Sequence, residues 1–166
     1  MRQYVKNILL YVAALLCLVA FIGLFANSLE IYDNIKDTWS VFKVNAYLGE
    51  KIDNVQVYKG TYIPIFGFVL PLAIAIFLIV QSFRHRWSGY IKLINTISSI
   101  VLFLCALLVL LTKELFLSAN GLGESIIIRN SSGPILAAIC CCAAGIILLF
   151  TTWFPLKQDM KFIEKQ

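Results

Sequence analysis

The chain has 166 residues, of which 60% are apolar and only 14% charged, with a mean hydropathy of +0.86 and a net charge of +5. An ordinary soluble domain carries about 45–50% apolar and about 25% charged residues, so a soluble globule and a disordered chain are both excluded, and lipid is the expected solvent. A pI near 9.0 raises nucleic acid as a partner, but no aromatic-basic platform accompanies the charge, and no nucleic-acid role is expected.

Four stretches, residues 8–26, 62–80, 93–111 and 134–154, contain no Asp, Glu, Lys, Arg or His. Each is close to the roughly 20 apolar residues that cross about 30 Å of hydrocarbon as a helix. The expected fold class is an all-α membrane protein: a four-transmembrane-helix bundle forming one domain, with loops 27–61 and 112–133 on the outer side.

Arg2 and Lys6 precede the first span, and Ala26-Asn27-Ser28 has the small residues of a signal-peptidase site. The apolar run exceeds the 7–15 residues of a signal sequence, so a retained helix is expected. Beyond it, Leu29, Ile31, Tyr32 and Ile35 fit a helical spacing and predict an amphipathic extension of a turn or two. Residues 39–47 are rich in strand formers, 48–51 supply a turn and 55–58 alternate partially, which predicts a short hairpin between 39–47 and 55–58.

In the second span Pro64 and Pro71 flank Gly67. Pro71 removes a backbone hydrogen bond and predicts a kink that either fits the bundle or flexes as a gate. The next loop holds Arg84, His85, Arg86 and Trp87, followed by Lys92. His85 is the single histidine, which excludes paired-histidine haem ligation and a histidine-based metal site.

The third span opens with Asn95, Thr96, Ser98 and Ser99. Asn95, Ser98 and Ser99 share one helix face, where they either grip another helix or line a polar vestibule. No charged residue lies deep in a span, which counts against ion-coupled transport. In the third loop, residues 120–123 read as a turn and 125–129 as a strand. Since two strands alone are marginal, this strand is expected to join the first loop in a small sheet.

The fourth span contains Cys140-Cys141-Cys142. Consecutive helical residues point about 100° apart, so these three thiols cannot converge on one metal, and they read as small packing residues. Ala137, Cys141 and Gly145 repeat every four residues, and Ala13 and Cys17 do the same on the first span. Such rows let helices approach closely in lipid, within the chain or between copies. Neither cofactor, metal nor catalytic residues are expected, and the five cysteines, all in apolar runs, do not form a secreted disulfide framework.

Charge sets the expected orientation. The N-terminus, second loop and tail hold Arg2, Lys6, Arg84, Arg86, Lys92, Lys157, Lys161 and Lys165 against Asp159 and Glu164, a net +6, whereas the first and third loops hold six basic and seven acidic residues. The positive-inside rule then places both termini in the cytoplasm. Arg84, Arg86, Lys92 and the three tail lysines form a basic cytoplasmic face suited to anionic headgroups or an acidic protein.

Four helices, inner termini, a longer β-forming first loop and a shorter second one resemble the claudin-type tetraspan layout. Their Trp…Gly-Leu-Trp…Cys…Cys signature is absent: Trp39 is the only tryptophan in the first loop, and no cysteine is there. In size and topology the chain also resembles the small four-helix membrane subunit of the Kiwa bacterial antiphage system. That resemblance implies a non-enzymatic subunit of the cell or inner membrane that serves a cytosolic partner. The expected function is a membrane scaffold or sensor that forms a homo-oligomer and recruits a cytosolic protein, the alternative being a pore-forming or transport subunit.

Overall fold

The computed structural model describes residues 3–35, 38–52, 55–83, 89–121 and 127–153. Four long helices follow from the four apolar runs: α1 (Gln3–Ile22), α2 (Phe66–Phe83), α3 (Gly89–Leu110) and α5 (Ser132–Trp153). A 3-10 turn, Gly23–Phe25, extends α1, and another, Ile63–Ile65, leads into α2 with Pro64 in its first turn. The apolar windows are Val5–Phe25, Ile63–Phe83, Tyr90–Leu110 and Ser132–Trp153, each long and apolar enough to cross a membrane. At a 1.5 Å rise each spans about 32 Å. The helices run past the charge-free runs because Lys6 and Lys92 continue the helical backbone of α1 and α3.

The helices pack in a ring in which α1 touches α2 and α5, and α3 touches α2 and α5. Ring neighbours therefore run in opposite directions. The buried stripe on each helix advances by alternating steps of three and four: Leu10, Ala13, Cys17 and Ala20 on α1, and Leu102, Cys105 or Ala106, and Val109 on α3. This is the spacing of left-handed bundles. The interior is small, built from Ala13, Cys17, Ala75, Ala137, Cys141 and Ala144 among others. Large aliphatic side chains such as Leu15, Ile76, Leu104 and Ile139 face outward. Water would reverse that distribution, and the four long apolar helices support a multi-pass membrane protein.

Close backbone approach explains the glycines. A Cβ on Gly67 would sit 2.6 Å from Val109 Cγ2 and 3.1 Å from the Cys105 carbonyl, fixing α2 against α3. A Cβ on Gly133 would sit 2.8 Å from the Gly23 carbonyl, where α5 begins beside the end of α1. Pro71 is buried within α2.

A small β-structure covers the end of the bundle away from the termini. β1 (Leu29–Ile35) pairs antiparallel with β2 (Thr38–Val44) and, on its other edge, with β5 (Ile127–Asn130). β3 (Glu50–Ile52) and β4 (Val55–Tyr58) form a separate hairpin. The expected third strand from the second outer loop is thus β5, although residues 125–126 lie outside the described residues. Two expectations are corrected. The segment after α1 is a strand, not a helical extension: Leu29 and Ile31 alternate inward and find pairing partners on both sides, which outweighs a helical spacing with no helix to pack on. Likewise residues 38–44 pair with β1 and leave β4 to pair with 50–52, because Gly49, at φ +72°, turns the chain before β3.

An unexpected helix, α4 (Thr112–Asn120), continues from α3 after a break at Leu111 and ends on Gly121 in the left-handed conformation. Its Phe116 enters a second core with Leu29, Ile31, Val44, Ala46 and Ile128. Ser28 anchors this cap from the buried side: its Oγ donates to the Val44 carbonyl at 3.0 Å and accepts from the Ala46 N–H at 2.6 Å. Asn120 completes the docking, accepting the Lys59 N–H at 2.7 Å and donating to the Lys59 carbonyl at 3.2 Å.

Candidate functional site

Followed toward the end that carries the termini, the buried stripe of every long helix turns polar. On α1 the steps 20, 17, 13, 10 arrive at Lys6, which is 2% exposed. On α2 the stripe through Ile74 and Leu78 arrives at Gln81 and Ser82, on α3 it arrives at Ser98, Ser99 and Asn95, and on α5 it arrives at Thr151 and Thr152, all buried. Because ring neighbours are antiparallel, the start of α1, the end of α2, the start of α3 and the end of α5 lie at the same end. Eight buried polar residues therefore gather inside one end of an otherwise apolar bundle.

Three of the hydroxyls are satisfied within their own helices. Thr151 and Thr152 donate to the Leu148 carbonyl at 2.9 and 2.7 Å, and Ser82 donates to the Ile79 carbonyl at 2.7 Å. Ser99 donates across the interior to the Gly145 carbonyl at 2.7 Å, joining α3 to α5. The two amides differ. Gln81, 5% exposed, and Asn95, fully buried, have neither the amide nitrogen nor the amide oxygen hydrogen-bonded. Lys6 is already engaged within the chain and lies on the buried side of α1. Leaving a buried amide unbonded costs on the order of 1–3 kcal/mol, so the arrangement is suited to something that supplies both acceptors and donors.

The sequence singled out Asn95, Ser98 and Ser99, and the structure brings them together on the buried face of α3. Lys92 is on α3 at the same end, exposed to the outside. Arg84, Arg86, Lys157, Lys161 and Lys165 lie outside the described residues. Sequence reading missed Gln81, Thr151, Thr152 and the interior place of Lys6. Following the three-and-four stripe to the end of each span, and past the charge-free runs for Lys6 and Gln81, would have found them.

The small-residue rows meet within the chain. Ala13 and Cys17 on α1 and Ala137 and Cys141 on α5 are fully buried, and a Cβ on Gly145 would lie 3.1 Å from the Phe103 ring of α3. Cys17, Cys105, Cys140 and Cys141, drawn from α1, α3 and α5, lie near one another in the interior as free thiols. Among the described residues no group of three or more His, Cys, Asp or Glu could hold a metal ion.

At the opposite end Tyr47 is buried against Phe68, ring centroids 5.3 Å apart, with Thr112 beside its hydroxyl. Burial pushes its phenol above the ordinary value of 10.0, and Thr112 partly offsets this. On the sheet, Glu30 accepts from the Tyr32 hydroxyl at 3.1 Å and from Ser131 at 3.4 Å, and Arg129 stacks over the Tyr32 ring. This polar network braces β1 against β5. In comparisons with known proteins, no family model matches this chain, and no curated protein or solved structure matches it either.

Proposed function

We propose that the chain is an integral membrane protein with both termini in the cytoplasm, acting as a non-enzymatic scaffold or sensor subunit that recruits an acidic cytosolic protein. The supporting observation is the separation of charge. Eight cations against two acids flank the end where the termini lie, while the sheet end is slightly acidic. The basic residues that flank the spans there, Arg84, Arg86, Lys92, Lys157, Lys161 and Lys165, then form the docking face. A role in bacterial antiphage defence is one instance of this reading and rests on resemblance of size and topology. Self-association belongs to the same reading. It would use outward apolar faces such as Leu93, Ile97, Ile100 and Leu104 on α3, since the small-residue rows are occupied within the chain. Crosslinking in native membranes followed by affinity capture tests the proposal. A partner that is captured and then lost on reversing Arg84, Arg86 and Lys92 to Glu is the expected result. A strictly monomeric protein that captures nothing refutes it.

One observation favours a second reading, a pore-forming or transport subunit: the polar interior around Asn95. Leu10, Leu78, Leu102 and Leu148 fill the bundle above it, so conduction would need several copies around a shared path. Planar-bilayer conductance lost on Asn95→Leu would select this reading.

A further inference from the structure

We propose that the polar end of the bundle is a binding site for a phospholipid headgroup, with Gln81 and Asn95 as its ligating amides. The inference rests on the membrane reading and not on its sidedness. Both amides are more than nine-tenths buried, and each has a donor nitrogen and an acceptor oxygen unused. The matching ligand carries both acceptors and donors. A phosphodiester with neighbouring hydroxyls meets this: phosphate oxygens accept from the two amide nitrogens, and hydroxyls donate to the two amide oxygens.

Depth and access select a lipid as the source. Gln81 lies about 3 Å along the axis from Phe83, and Asn95 about 8 Å from Tyr90, the residues that close the apolar windows of α2 and α3. That is the level of the headgroup boundary in a bilayer whose hydrocarbon is about 30 Å thick. The seam between α2 and α3 is the least extensive of the four in the ring. Its tight contact, Gly67 against Val109 and Cys105, is at the far end. Beside the seam near the amides, Val80, Phe83, Leu93 and Ile94 are exposed, an apolar surface on which acyl chains lie while the headgroup turns inward.

The test uses the full chain, purified and delipidated in detergent, with phosphatidylglycerol, phosphatidylcholine or water-soluble glycerophosphoglycerol added. Thermal unfolding and lipid retention in native mass spectrometry are read together. Phosphatidylglycerol should raise the unfolding temperature and remain bound. Phosphatidylcholine, which has no donor for the amide oxygens, should do so far less. Asn95→Leu and Gln81→Met should each weaken phosphatidylglycerol retention about tenfold, the loss of a hydrogen bond to a charged group. Lys43→Gln, which removes an exposed cation on β2 at the opposite end, should leave retention unchanged. Circular dichroism and a monodisperse elution profile establish that each variant is folded; should either amide variant fail there, the conservative Asn95→Asp, which adds repulsion toward phosphate, replaces it. Equal stabilisation by both lipids overturns the proposal, as does unchanged retention in the folded variants, which would leave water as the partner of the amides. Saturation by glycerophosphoglycerol at the same concentration as the lipid also overturns it, in favour of a free solute. Loss of the acidic protein partner would leave these lipid measurements unaffected, so the two proposals fail separately.

Discussion

Replacing Gly67 by alanine tests how tightly α2 is set against α3. The new Cβ would stand 2.6 Å from Val109 Cγ2 and 3.1 Å from the Cys105 carbonyl oxygen. Carbon atoms are comfortable at 3.5–4.0 Å, so about 1 Å must open. Val109 is fully buried, and the second obstacle is backbone, so neither can yield by a side-chain rotation. Overpacking of this kind costs about 1–3 kcal/mol, against a gain of about 0.8–1.0 kcal/mol for alanine over glycine in a helix. The net is a loss of about 1 kcal/mol, or about 2–4 °C in unfolding temperature for a chain of this length. Gly145→Ala is the matched control. Its Cβ meets only the Phe103 ring, at 3.1–3.4 Å, and a ring edge can move by a few tenths of an ångström, so stability should hold or rise. Both variants are compared by thermal unfolding in one detergent. If Gly67→Ala stabilises as much as Gly145→Ala, the α2–α3 contact is not what fixes the seam.

Ser28→Ala should loosen the β cap by about 1–3 kcal/mol, because it orphans the buried Ala46 N–H; faster amide exchange in β1 and β2, with α3 and α5 unaffected, is the readout. Ser99→Ala removes the side-chain hydrogen bond that joins α3 to α5 and should cost about 0.6–1.7 kcal/mol, measured by denaturation in mixed micelles. Tyr47 should resist ionisation in the folded protein when tyrosinate absorbance is followed upward from pH 9. Its folded pKa is raised, so stability is level below about pH 10 and falls above it as the unfolded chain ionises more readily. Tyr47→Phe should abolish that fall.

The spans were legible because lipid permits no other reading of four charge-free runs. Their ends were not, because Lys6 and Lys92 mark a boundary in charge while the helix continues through it. Leu29, Ile31, Tyr32 and Ile35 satisfy both a helical and a strand spacing, and only the pairing of β1 with β2 and with distant β5 decides between them. The helix α4 has one deeply buried anchor, Phe116, too little for a periodicity to register. At the polar end, Asn95 and Ser99 stood out inside an apolar run. Gln81 did not, since it follows the last apolar residue and looks like the start of a loop; its burial depends on where the neighbouring helices α1 and α3 place their ends.

β1 leaves α1 directly, whereas its partner β5 leads into α5. During synthesis, one edge of β1 therefore stays open until more than ninety further residues have been made. An open edge invites pairing with the wrong strand. The short β5 closes that edge only when the last span is ready to enter the bundle, and Gly23 and Gly133 then meet beside it. Completion of the sheet thus records the arrival of the final helix. A chain that stalls before α5 keeps that strand edge unpaired, open to pairing with another chain.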